Sequence, residues 1–125
     1  MAAPRILLVD DDPQVIESVQ AALQAFGYEV LVARDGSEGL MRAERDAPDV
    51  VVLDMMMPRR SGLNVLERLR SGGQQSPPVI MVSANADEKH RDFAQAHGVV
   101  AFLRKPFEIP ELLKVISRLA PLHPE

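Results

Sequence analysis

The sequence predicts an α/β fold, a doubly wound (βα)5 arrangement with a five-stranded parallel sheet and helices on both faces. Three observations predict it. Five short runs rich in β-branched residues alternate with five longer segments of helical periodicity. Four of the five short runs are mostly apolar throughout, as strands covered on both faces should be. The 125 residues, 46% apolar and 26% charged, suit one globular domain and contain no repeat, low-complexity tract or internal linker.

The strand runs are Ile6–Val9, Glu29–Ala33, Val50–Leu53, Val79–Val82 and Val99–Leu103. Glu29–Ala33 is the least apolar and fits an edge. The first helix shows Val15, Val19, Ala22, Leu23 and Phe26 at spacings of three and four, with Gly27 behind it as the C′ residue. Asp12, immediately before Pro13, reads as its N-cap. The second helix is SEGLMRAERDA, residues 37–47, closed by Pro48. The third runs from about Gly62 to Arg70 with Leu63, Leu66 and Leu69 in register, and SGGQQSPP makes a loop after it. The fourth, Asp87 to His97, has a thin apolar side of Phe93, Ala94, Ala96 and His97. The fifth, PELLKVISRLA, begins with Pro110 near N1 and packs through Leu112, Leu113, Ile116 and Leu119.

Composition narrows the function classes. The formal net charge is −4, and acids and bases are interspersed without a basic run, which argues against direct nucleic-acid or anionic-membrane binding. There is no cysteine, so disulfides and thiolate metal sites are excluded. No apolar run approaches the roughly 18 residues of a membrane helix, and RILLV follows the N-terminus too closely for a leader. A cytoplasmic location is the expectation. His90, His97 and His123 lack metal-ligand spacing, and His97 reads as a helix-end residue.

Parallel sheets of this kind bind ligands beyond the carboxyl ends of their strands. The first strand is followed by Asp10, Asp11 and Asp12, and the third by Asp54. The fourth ends at Ser83, and the fifth is followed by Arg104, Lys105 and Pro106. Arg34 and Asp35 follow the second, at the edge. Clustered carboxylates repel: at an effective dielectric near 20, a like-charge pair about 4 Å apart costs on the order of 4 kcal/mol. A hard dication offsets that cost, and a lysine opposite the acids makes sense if the ligand is an anion. Acids, a hydroxyl and a cation around one carboxylate describe a phosphoryl-transfer site, in which a carboxylate can be the nucleophile. Singly, each residue also has a plainer reading. Ser83 suits a turn hydroxyl, Lys105 a solvated charge, and MMMP core filling and a turn.

The fragments ILLVDDDP, VVLDMMMPRRSG, MVSA and FLRKPF, in this order at successive strand ends, resemble the receiver domain of two-component response regulators. The likeness runs from about Pro4 to Ala120, which implies a single receiver domain, with residues 121–125 a tail or the start of a linker. It implies a flavodoxin-like sheet in the order 2-1-3-4-5. By resemblance, Asp54 is the phosphoacceptor, and Asp10, Asp11, Asp54 and the backbone carbonyl of Met56 hold Mg2+, with Mn2+ as a substitute. Asp11 is the more direct ligand, and Asp10 acts partly through water. Lys105 pairs with the phosphoryl oxygens, and its bond to Pro106 is cis. Ser83, where threonine is commoner in the family, contacts the phosphoryl group, and Phe102 is the aromatic switch partner. Met56 and Asn85 fall where side chains tune attack by water, and Met56 cannot orient one. The implied partners are a sensor histidine kinase or a histidine phosphotransfer protein, contacted near Gln14, Val15 and Ser18. An effector protein or output domain, and a homodimer through the helix-four, strand-five, helix-five face, complete the set. A dehalogenase-like phosphatase would want a second acid two residues after Asp54, and that position is Met56. A pseudo-receiver binding module is the alternative that keeps the fold without the chemistry.

Overall fold

The computed structural model describes residues 3–57, 61–71, 76–84 and 87–122. In chain order the elements are β1 Arg5–Val9, α1 Pro13–Ala25, β2 Glu29–Ala33, α2 Gly36–Asp46, β3 Val50–Asp54, α3 Gly62–Ser71, β4 Val79–Ser83, α4 Glu88–Ala96, β5 Ala101–Arg104 and α5 Ile109–Leu119. The strands form one parallel sheet in the order β2-β1-β3-β4-β5. The chain steps from β1 to one side, then returns beyond β1 for β3. The order therefore reverses between β1 and β3, whose carboxyl ends border the crevice where such sheets bind ligands.

Alternation along the strands divides the core in two. Ile6, Leu8, Val50, Val52, Ile80 and Val82 face Ile16, Val19 and Leu23 of α1 and Leu112 and Ile116 of α5. Leu7, Val9, Val51, Leu53, Val79 and Met81 face Leu40 of α2, Leu66 and Leu69 of α3, and Ala94 of α4. Each strand of the central three thus supplies both layers, which is why no polar face is legible in it. Each fully buried Leu or Ile contributes about 1.5–3 kcal/mol relative to exposure.

The helix ends follow from local chemistry. The Asp12 carboxylate accepts the Gln14 N–H at 2.9 Å and Pro13 opens α1. Asp35 caps α2 through the Glu38 N–H, while the Glu38 carboxylate accepts the Arg34 N–H. Gly27 at φ 104° and Gly98 at φ 79° end α1 and α4 in Schellman motifs, closed by Tyr28 N–H to Leu23 C=O and Val99 N–H to Ala94 C=O. His97 is the C-cap of α4.

Some details of the elements differ from the expectation. Val99 lies outside β5 because its N–H closes the α4 cap, and the strand proper starts at Ala101. Phe26 is not a core residue. It is the α1 cap, 58% exposed, because the helix has stopped turning toward the sheet. Ala47 is not in α2; it takes the left-handed conformation at φ 47°. In α4 only Ala94 is buried, and Phe93 stacks on His97 along the solvent side, ring centroids 4.2 Å apart. His123, Asn85 and much of the SGGQQSPP loop lie outside the described residues. Among those described, no helix is long and apolar enough to cross a membrane.

Candidate functional site

The strand ends bring Asp10, Asp11, Asp54, Ser83 and Lys105 to one edge of the sheet. Asp54 is the last residue of β3 and only 4% exposed, and Asp10 is equally buried just past β1. Asp11, next along the turn into α1, is exposed. Asp10 is held by its N–H to the Ala33 carbonyl at 3.0 Å, and its carboxylate accepts the Asp12 N–H at 2.9 Å. The Asp54 carboxylate accepts the Met56 N–H at 3.3 Å.

Lys105 reaches in from the segment after β5. Its Nζ lies 2.8 Å from the Asp10 carboxylate and 3.3 Å from that of Asp54. The Lys105 N–H donates to the Ser83 carbonyl at 2.8 Å, fastening this segment to the end of β4, and the Lys105–Pro106 bond is cis. Ser83 is fully buried, one residue beyond Val82, the register partner of Asp54. Phe102, paired with Met81, packs half-buried on the α2–α4 side of the sheet.

These contacts set the charges. Burial, then the neighbouring Asp10 charge, push the Asp54 carboxyl up to about 6, against the pull of Lys105 and the Met56 N–H. Burial draws the Lys105 ammonium down, but its hydrogen bond to Asp10 and the charge of Asp54 outweigh this, and it titrates above the ordinary lysine value. One cation thus faces two buried acids with a third beside them. Carboxylate oxygens of Asp10, Asp11 and Asp54 lie within 4.8 Å of one another, an all-oxygen donor set that fits a small hard dication.

A family model described as the response regulator receiver domain matches residues 6–117. The chain belongs to that family. As a receiver domain it is a regulatory domain of phosphorylation-dependent, two-component signalling. It is 43% identical over 110 residues to the transcriptional activator protein PfeR of Pseudomonas aeruginosa, covering 88% of this chain and 35% of that protein. It is 44% identical over 115 residues to the response regulator MprA of Mycobacterium leprae, covering 92% of this chain and 50% of that protein. The chain therefore spans half or less of these relatives' length. Among solved structures, the Vibrio cholerae chemotaxis protein CheY4 superposes with a TM-score of 0.87 at 32% identity, covering 94% of this chain and 99% of that one. The receiver domain of the Pseudomonas aeruginosa sensor histidine kinase PA1611 gives a TM-score of 0.84 at 30% identity, covering 97% and all of the two chains. That structure is described with a magnesium ion coordinated in the active-site cleft.

Sequence reasoning missed two positions in this receiver domain. The Gly62 N–H donates to the Met55 carbonyl at 2.8 Å, and a Cβ at Gly62 would lie 2.1 Å from the Asp54 backbone oxygen. Only glycine lets the start of α3 lie against the end of β3. Arg70, named only as the end of the third helix, binds carbonyls of two other segments. The methionines divide: Met55 is fully buried, Met57 packs on the α2–α4 core, and Met56 is exposed beside Asp54.

Proposed function

We propose that the chain is a single receiver domain, core about 4–120, that takes a phosphoryl group on Asp54 from a histidine kinase or histidine phosphotransfer protein. The observation that carries this reading is the buried Asp54 carboxylate, flanked by Asp10 and by the Lys105 ammonium 3.3 Å away. In the metal-free chain the carboxyl, pushed up to about 6 by burial and the Asp10 charge, is still mostly ionised at neutral pH, as a nucleophile must be. An Asp54 oxygen attacks phosphorus, the bond from phosphorus to the imidazole nitrogen of the donor breaks, and the imidazole leaves. Lys105 neutralises charge on the transferring oxygens. Asp10, Asp11, Asp54 and the Met56 carbonyl would hold Mg2+ (or Mn2+), which when bound neutralises further charge at the phosphoryl oxygens.

Ser83, at the neighbouring strand end, is the hydroxyl that contacts the new phosphoryl group, and Phe102 is its switch partner. The face of α4, β5 and α5 then changes its contacts with an effector, an output domain or a second copy. The exposed Gln14 and Ser18, with half-buried Val15, form the donor-facing start of α1. The domain acts in the cytoplasm and assists both gain and loss of its phosphoryl group, but Met56, exposed beside Asp54, positions no water for attack. A Met56→Asn variant is expected to lose its phosphoryl group faster, by phosphate release.

Intact mass after incubation with acetyl phosphate tests the reading. A gain of one phosphoryl group that needs Mg2+ and is absent in Asp54→Asn supports it. No adduct under any condition overturns it in favour of a binding module without phosphoryl transfer.

A further inference from the structure

α4 is attached to its neighbours by two arginines in very different ways. At its C-terminal end, the Arg70 guanidinium of α3 donates to the carbonyls of His97 at 2.8 Å and Gly98 at 3.1 Å. The same group donates to the Pro77 carbonyl at 3.2 Å and the Ser76 hydroxyl, ahead of β4. All four are charge-assisted, directional bonds, and those to His97 and Gly98 take up carbonyls that the end of a helix leaves unsatisfied. In the N-terminal half, Arg91 of α4 lies over the Phe102 ring of β5, with Cζ 5.5 Å from its centroid. A single cation–π contact at an exposed arginine is weak and depends on where the ring sits. Only Ala94 of α4 is buried, so apolar packing holds neither end firmly.

We propose that Arg91 is the latch of α4 and the Arg70 clamp its pivot. While Phe102 rests under Arg91, the N-terminal half of the helix stays down. When the ring moves, that contact is lost, whereas the two bonds from Arg70 to His97 and Gly98 keep the C-terminal end in place. The helix therefore swings about Gly98, and the displacement is greatest at Glu88–Phe93. This rests on the reading of Phe102 as the switch ring, and it makes Arg91 a positioning residue for that ring.

Hydrogen exchange on the unphosphorylated chain, with 19F NMR of protein carrying 4-fluorophenylalanine, tests the latch. Phe102 is assigned by loss of its signal in Phe102→Leu. Arg91→Gln should speed exchange of amides 88–94 by about two- to fivefold, leave 95–100 and β1 to β3 unchanged, and shift the Phe102 signal. Arg91→Lys, which keeps the cation, should restore part of both effects. Arg70→Lys should instead speed exchange at 95–100. Unchanged exchange at 88–94 and an unshifted Phe102 signal in Arg91→Gln, or uniform acceleration of the whole helix, would overturn the proposal without reference to Arg70. In phosphorylated wild type the latch predicts the Arg91→Gln exchange pattern. A phosphorylated chain with unaltered exchange at 88–94 sinks the latch and leaves Asp54 as acceptor. The Arg91→Gln effects without any phosphorylation leave the latch standing and sink the acceptor.

Discussion

Replacing Asp54 by asparagine should stabilise the metal-free protein at neutral pH. Burial and the Asp10 charge hold the Asp54 carboxyl near 6, against an unfolded value of 3.8. The folded state therefore binds the Asp54 proton more tightly than the unfolded state does. Between about pH 4 and pH 6 the folded chain carries more protons, so stability falls as pH rises through that window. Above it the full cost is present, on the order of 3 kcal/mol for a displacement of that size. Asparagine keeps the shape and removes the charge, while Lys105 retains Asp10 at 2.8 Å. The expected gain at pH 7 in chelator is about 1–3 kcal/mol, or roughly 4–10 °C in melting temperature for a domain of this size. Urea unfolding of wild type and Asp54→Asn from pH 4 to pH 8 measures it. The two curves should nearly meet at pH 4 and diverge toward pH 7. Mg2+ should narrow the gap by stabilising wild type more. A variant no more stable than wild type at pH 7, or a gap that ignores pH, would refute the electrostatic reasoning.

Gly62→Ala puts a methyl 2.1 Å from the Asp54 backbone oxygen and should cost about 1–3 kcal/mol in urea unfolding while slowing phosphorylation by acetyl phosphate. Tyr28→Phe removes the hydroxyl that donates to the Ala120 carbonyl at 3.0 Å and should lower stability by about 1 kcal/mol, read by the melting temperature. Ala47→Gly should raise stability by about 0.5–1 kcal/mol in the same assay, because Ala47 sits at φ 47°, where glycine carries no Cβ penalty.

The parts of the fold that were legible are those with local signatures. Apolar runs covered on both faces mark β1, β3 and β4, and Asp12 before Pro13 marks the start of α1. Periodicity alone misjudged Phe26, since it cannot say that the helix ends at Ala25. It also could not separate Val99, whose N–H serves the α4 cap, from the strand that follows. The strand-end residues were legible as a set because parallel topology gathers all carboxyl ends at one edge. Their pairing was not. Asp10 was expected to bind metal partly through water, and here its carboxylate also takes the Lys105 ammonium, 95 residues away. Arg70 had no signature, because a basic residue near a helix end reads as a solvated face until the carbonyls of His97 and Gly98 arrive from another segment. Gly62 likewise read as a helix start, since only the fold brings it against the Asp54 backbone.

The most direct test of the central claim is to locate the phosphoryl group. The protein is treated with acetyl phosphate and Mg2+, reduced with borohydride so that an aspartyl phosphate becomes homoserine, digested and sequenced by tandem mass spectrometry. Homoserine is expected at position 54, dependent on both acetyl phosphate and Mg2+, with Asp10 and Asp11 unmodified. Homoserine at another aspartate, or none at 54 in protein that binds Mg2+, would contradict it.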